Sequence, residues 1–500
     1  SENFLRNQVD REAIMRDLIL LLNLDATACR SMARRLRGEG IYCKIMPAWA
    51  TGGDVESEEP RGVILAGGSK GTTPFVPHLA DFLHLQIPVL AMGDAALLLC
   101  EHLGGAILPE HGEGVVRQVA FLPDHPITRQ VQDGERFFQH FRPMALPDDY
   151  LVLADSQDEC IGFVHPTSSW YGLAFQPEAN DLDGTQLLMN FCGDVCGCTR
   201  WWNSESCIQL AKEQIQALAG DGEALCAISG GLDSTVCAVI GQMALGSRMH
   251  CVMLDSGLLR LGEAEEIRQF FDQVLHLPLE IIDIHEAVLA ALDGVDTPAE
   301  KERVVHQMLS SGLESLKERY PNAAVLIRGT NYADSLELQQ KAQDAPMAKF
   351  VSCEPLKELF KDEIRQVAGV LSLPEDQIHR QPFPGSGLAL RITSHVTEER
   401  LAILREADAI FRQEIEAASL QKRLWQYFAY LADSPFPADG GVLIILRAVQ
   451  AVDLTYAMPA RMPYDLLERV TERIMTRLPK TRRVLYDQTP SSNFFKIEMR

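Results

Sequence analysis

Apolar residues along this chain fall mostly in short continuous runs separated by helical periodicities. The run at 17–24, Asp-Leu-Ile-Leu-Leu-Leu-Asn-Leu, predicts a strand buried on both faces. Apolar positions set among Arg30, Arg34, Arg35 and Arg37 predict a helix over 27–39. Further strands are predicted at 40–46, 62–66 and 88–92, the last followed by a helix reaching Leu103. Strands alternating with helices imply a parallel α/β sheet. From 115 to 175 short runs broken by Pro and Asp predict an antiparallel extension, and helices are predicted over 181–198 and 207–218. A second α/β unit starts at Ala224, with later strands at 249–254, 279–282 and 324–327. A Pro/Gly cluster at 381–387 marks a boundary. Beyond it, helices at 398–417 and 463–478 mix with strands at 441–449, 483–486 and 494–497, the pattern of a small α+β domain. The expected fold class is therefore α/β: an α/β domain over 1–200, a doubly wound parallel α/β domain over 201–385 and an α+β domain over 386–500.

Composition narrows the function classes. The 500 residues suit about three domains. A chain 46% hydrophobic and 23% charged is ordinary for a soluble globular protein. No apolar run approaches the roughly 20 residues that span a bilayer, and the opening Ser1-Glu2-Asn3-Phe4-Leu5-Arg6 lacks a signal-peptide pattern. A cytoplasmic protein with no membrane partner is expected. The net charge of −23 argues against a nucleic-acid binder, which needs a basic face. Of the twelve cysteines, Cys226, Cys237 and Cys251 lie inside apolar runs and read as small buried hydrophobes. Cys192, Cys196, Cys198 and Cys207 cluster as C-x3-C-x-C-x8-C, without the paired C-x2-C spacing of structural zinc sites.

The candidate chemistry sits at 229–235, Ser-Gly-Gly-Leu-Asp-Ser-Thr, directly after the apolar run 224–228. Gly230 and Gly231 let the backbone bend and approach an anion. Ser229, Ser234 and Thr235 bring hydroxyls, Leu232 completes the binding turn, and a helix from about Thr235 aims its N–H groups at the same place. Asp233 would repel phosphate unless Mg2+ lay between them. The predicted ligand is Mg2+-bound pyrophosphate, and the predicted chemistry is cleavage of ATP to AMP and pyrophosphate. The loop is neither a Walker A motif nor a Gly-x-Gly-x-x-Gly turn.

With its flanking blocks, this region resembles the N-type ATP pyrophosphatase half of the GMP synthetase family. The loop 229–235 is similar to that family's PP-loop. Leu254-Asp255-Ser256-Gly257-Leu258-Leu259-Arg260, Arg328-Gly329-Thr330-Asn331-Tyr332-Ala333-Asp334 and the block from Glu354 to Glu363 resemble its next three segments. Residues 381–392 resemble its Pro-Phe-Pro-Gly-Pro-Gly-Leu stretch. Leu446-Arg447-Ala448-Val449 and the block from Arg461 to Leu467 resemble its C-terminal dimerisation domain. The resemblance implies ATP and Mg2+ as cofactors, a homodimer, and a small-molecule acceptor joined to ammonia or an amine. It puts Asp255 on ribose or Mg2+, Gly329 and Thr330 at the adenine, Lys361 on phosphate as a flexible point charge, and Asp362 beside Asp233 on Mg2+.

Residues 1–200 resemble a class I glutamine amidotransferase domain that has lost its chemistry. That family carries a Cys on the turn after the strand here at 88–92; this chain has Gly93. With no thiolate there is no attack on glutamine. The family's His-Pro-Glu is Gln176-Pro177-Glu178 here, and an amide is no general base. Cys100 lies roughly two helical turns beyond the turn. The acceptor side has also drifted. The lid's His pair is absent from 337–350, where Lys341 or Lys349 could stand in for the lid lysine; Arg380-Gln381 replaces Arg-His; and 489–500 departs from the family's C-terminal signature.

Three functions stay open on this basis. The favoured one is an AMP-forming ligase without glutaminase activity, acting on an acceptor altered from xanthosine monophosphate. The second is an ammonia-dependent synthase acting on xanthosine monophosphate itself. The third is a non-catalytic nucleotide-binding paralogue, against which the intact loop argues.

Overall fold

A computed structural model describes residues 17–67, 76–175, 182–334, 349–381, 383, 385–435, 441–453 and 456–490. The chain divides into two compact units, Ser1–Ser206 and Cys207–Arg500.

The first unit is built on strands β1 (Ile19–Asn23), β2 (Cys43–Pro47), β3 (Gly62–Ala66), β4 (Val89–Met92), β5 (Ala106–Ile107), β6 (Glu113–Phe121), β7 (Gly134–His140), β8 (Met144–Ala145), β9 (Leu151–Ser156), β10 (Glu159–Val164) and β11 (Trp170–Leu173). Nine of them form one sheet in the order β2-β1-β3-β4-β11-β10-β9-β6-β7, while β5 and β8 pair separately. The half from β2 to β11 is parallel; the half from β11 to β7 is antiparallel. The change falls where the continuous apolar runs give way to Pro- and Asp-broken ones. Leu20, Leu21 and Leu22 are fully buried, as a strand covered on both faces requires. The helix Ala26–Gly38 is started by Asp25, whose Oδ1 accepts from the N–H groups of Thr27 and Ala28, both at 2.9 Å. The helix predicted over 181–198 is regular only across Leu182–Asn190 and then widens into a π turn, Phe191–Val195.

The second unit contains a five-stranded parallel sheet of β12 (Glu223–Ala227), β13 (Met249–Asp255), β14 (Leu279–Asp283), β15 (Ala323–Ile327) and β16 (Val351–Cys353), in the order β14-β13-β12-β15-β16. The chain winds outward from β12 to β13 and β14, then crosses back to lay β15 on the other flank. That reversal puts a topological switch point beside β12, where the loops leaving β12 and β15 diverge and leave a crevice at the carboxyl ends of the strands. A second sheet holds β17 (Gln426–Asp433), β18 (Val442–Asp453), β19 (Tyr456–Pro459) and β20 (Thr481–Tyr486). Its apolar core includes Leu404, Phe411, Ile444 and Ile474 and runs on without a break to Leu258, Val288 and Val305. Strands β16, β17 and β19 were not among the predicted elements; the predicted strand 494–497 lies outside the described residues.

Candidate functional site

The loop that leaves β12 is shaped by its own small residues. Gly230 adopts φ +77°, a conformation that favours glycine, and a Cβ there would stand 2.2 Å from Ile267 Cδ1, which would have to shift. The helix Leu232–Leu245 begins immediately after Gly231, so its first-turn N–H groups point back at the loop. The hydroxyls bond within the loop. Ser234 Oγ donates to Gly231 O at 3.0 Å, and Thr235 Oγ1 donates to the same carbonyl at 2.9 Å. Ser234 Oγ also accepts from Ser229 N at 3.2 Å, and Ser229 Oγ lies 3.1 Å from it. Ser234 and Thr235 are buried, and their hydroxyls brace the turn.

The crevice beside β12 brings distant blocks onto the loop. Lys361, the first residue of the helix Lys361–Val370, reaches Asp233 Oδ1 with its Nζ at 2.5 Å. Asn331 Nδ2 donates to Asp233 Oδ2 at 2.9 Å. Gly329 ends the segment after β15, and a Cβ there would lie 2.6 Å from Ser234 N. The close approach its lack of a side chain allows is thus to the loop's own helix. Thr330 Oγ1 donates to Glu354 Oε1 at 2.8 Å. Asp255, at the end of β13, accepts from Gly257 N at 2.9 Å and so shapes the turn below it. Asp362 is exposed on the first turn of its helix. Asn331 carries no sequence signal for this contact, because Asp233 is 98 residues away along the chain.

The neighbouring family-like blocks also converge. Buried Arg260 and Arg391 flank Asp408, with Arg260 Nε 3.6 Å and Arg391 NH1 3.5 Å from its carboxylate. Both guanidiniums lie over Phe383. Burial pushes Arg260 down to about 10, with Asp408 countering. Burial would raise Glu263, but Arg260 and Arg380 hold it below the usual carboxylate range. Gln381 takes the place of the expected His and pairs twice with the backbone of Tyr427, donating to its O at 3.3 Å and accepting from its N at 3.1 Å. The end-to-end donor and acceptor of an amide suit that strand-like pairing.

In the first unit, Gly93 stands between β4 and the helix Asp94–His102 at φ +62°, ψ −133°. Its N–H donates to Leu173 O at 2.8 Å and Phe175 O at 3.3 Å. Cys100 is buried in the last turn of that helix, and burial pushes its thiol up to about 12. Gln176, Glu178 and Lys341 lie outside the described residues, whereas Lys349 is exposed.

Among the described residues, no group of three or more His, Cys, Asp or Glu is placed to hold a metal ion. Cys192, Cys196 and Cys198 are buried thiols raised by burial. Mg2+ carried by a nucleotide needs only one or two carboxylates besides phosphate oxygens, and Asp233, inside the loop, meets that requirement. No helix among the described residues is long and apolar enough to cross a membrane.

A parallel sheet whose central strand ends in this loop, with Lys361 on the loop's carboxylate, defines a PP-loop ATP pyrophosphatase. Residues 205–320 match the family described as NAD synthase, and residues 413–494 the family described as GMP synthase C terminal domain. The chain is 36% identical to GMP synthase (glutamine-hydrolyzing) of Thermomicrobium roseum, over 95% of each chain. It is 32% identical to the protein so named from Caldicellulosiruptor saccharolyticus, over 95% of this chain and 98% of that one. For the one from Bacillus cytotoxicus the identity is 31%, over 95% and 97%. The chain belongs to the GMP synthase family and is an ATP-dependent ligase of that family.

Proposed function

We propose that this chain adenylates an oxygen of a small-molecule acceptor, releases pyrophosphate, and lets ammonia or an amine displace AMP, without hydrolysing glutamine. The observation that carries the reading is the pairing of Asp233 with Lys361 across an intact 229–235 loop, set against Gly93 at the turn that would need a thiol. The acceptor oxygen attacks the α-phosphorus of ATP, and the bond from that phosphorus to the bridging oxygen breaks. Pyrophosphate leaves into the backbone N–H groups that open the helix Leu232–Leu245. Lys361 balances its charge, and Asp233 with Asp362 would hold the Mg2+ that neutralises the phosphates. The amine nitrogen then attacks the activated carbon, AMP departs with the acceptor oxygen, and the nitrogen gives up a proton. Asp255 and the Gly329–Thr330 segment border the crevice where ribose and adenine would lie.

The acceptor is proposed to differ from xanthosine monophosphate because of the changes at 337–350, 380–381 and 489–500, most of which lie outside the described residues. Xanthosine monophosphate with free ammonia is the second reading, favoured by the naming of relatives that match over 95% of this chain. Divisions at 200 and 385 and a homodimer formed through 386–500 complete the proposal. Pyrophosphate release from ATP, with ammonium present and candidate acceptors added singly, tests it. Release with another acceptor and none with xanthosine monophosphate is expected. Release with xanthosine monophosphate selects the second reading, and no ATP binding at all would defeat both.

A further inference from the structure

Both carboxylate oxygens of Asp233 are engaged, and by groups of unequal freedom. Lys361, on Oδ1, is half-exposed at the end of a four-carbon stem. Asn331, on Oδ2, is 9% exposed and fixed at its other end. Its Oδ1 accepts from Ala333 N at 2.8 Å and Asp334 N at 3.2 Å, and Asp334 Oδ2 accepts in return from Asn331 N at 3.1 Å. An amide has one acceptor end and one donor end. With the acceptor end committed to the turn at 332–334, the donor end faces Asp233. Gly329 lets this happen, since its missing side chain brings the segment after β15 against Ser234.

We propose that Asn331 is a positioning residue for ATP cleavage: it pins Oδ2 of Asp233, so that Oδ1, held only by the mobile Lys361, is the oxygen handed to the metal–nucleotide complex. This rests on the assignment of 229–235 as a pyrophosphate cradle. Lys361 can leave Oδ1 for phosphate when nucleotide arrives, while Asn331 keeps the carboxylate from rotating with it. A group that orients a metal-facing ligand in this way is typically worth about 10- to 100-fold in affinity.

The competing account makes Asn331 only the start of the turn at 332–334. Asn331→Ser separates the two, because a serine hydroxyl still caps the turn but is too short to reach Asp233. Binding of ATP with Mg2+ to the full-length protein, measured by calorimetry, is the readout, alongside the thermal midpoint. For Asn331→Ser we expect binding weakened about 10- to 100-fold and an unchanged midpoint. In an Asp233→Asn background the same substitution should weaken binding no further, because coupled residues do not add. Wild-type binding by Asn331→Ser, or an additive loss on Asp233→Asn, would overturn the proposal. If Asn331→Ser does not fold, Asn331→Asp keeps the cap and sets one carboxylate against another; it should bind more weakly than wild type, and equal or tighter binding would overturn the proposal as well. Full binding by Asp233→Asn would instead sink the cradle assignment itself, so the two failures are distinguishable.

Discussion

The turn at Gly93 and the loop at Ser229–Thr235 occupy the same kind of place in the two units. Each leaves the carboxyl end of a buried parallel strand and opens directly into a helix. At 229–235 the polar side chains are interlocked: two hydroxyls share Gly231 O, and the carboxylate is gripped from two sides. At Gly93 the corner's N–H donates to main chain, to Leu173 O and Phe175 O. Sheet and helix packing thus keep a sharp corner whether or not a side chain remains to use it. A sharp corner by itself is no evidence of chemistry; the grip on a particular side chain is better evidence.

The harshest test of that contrast removes the gripped charge. Asp233→Asn should lower pyrophosphate release by at least about 10²-fold, as loss of one preorganised electrostatic group typically does, with little change in thermal midpoint. Release within a few-fold of wild type in a coupled phosphate assay would show that the carboxylate is structural, as at the other corner.

A smaller effect comes from the loop's backbone. Gly230→Ala meets both a positive φ and Ile267, and overpacking of this kind costs about 1–3 kcal/mol. The thermal midpoint and ATP affinity should fall together. Ile267→Val, which removes the Cδ1 atom that stands 2.2 Å away, should restore part of the loss but not the part due to φ. Full restoration in thermal melts would mean that the left-handed conformation costs nothing here.

How much of this was legible beforehand follows from the same physics. Buried parallel strands announce themselves as apolar runs, so the runs at 17–24 and 224–228 led directly to β1 and β12. The loop was readable because glycines and hydroxyls adjacent in sequence act adjacent in space. Strand β17 was not, since Gln-Tyr-Phe-Ala-Tyr-Leu-Ala-Asp, although mostly buried, mixes polar-tipped residues into its apolar run and follows a long helix without a sharp turn signal. Asn331 escaped for a different reason. Its partner Asp233 is 98 residues away, and only the crossover that lays β15 beside β12 brings them together. The roles of Ser234 and Thr235 as braces also depend on rotamers that sequence does not specify.

The first corner can be pressed by returning a thiol to it. Gly93→Cys would force a side chain into φ +62°, ψ −133°, at a cost of about 1–3 kcal/mol. The thermal midpoint should drop accordingly. No glutamate should appear from glutamine, because Gln176 supplies no base. Glutamate formation by this variant would show that the corner had kept more than its backbone.

The mildest prediction concerns the thiol already present near that corner. Burial pushes Cys100 up to about 12, with Cys160 and Glu101 adding to the shift. Because the shift is upward, the thiolate is disfavoured below that value, and its fraction at pH 8 is about 10⁻⁴. Alkylation at Cys100, read by peptide mapping after iodoacetamide treatment of the folded protein, should therefore be negligible at pH 8 and still slight at pH 10. The thiol introduced by Gly93→Cys provides the internal standard. It would sit at the N-terminal end of the helix Asp94–His102, where the helix dipole favours thiolate, so it should be alkylated faster than Cys100 under the same conditions. Equal labelling of the two would mean that Cys100 reaches solvent as a nucleophile.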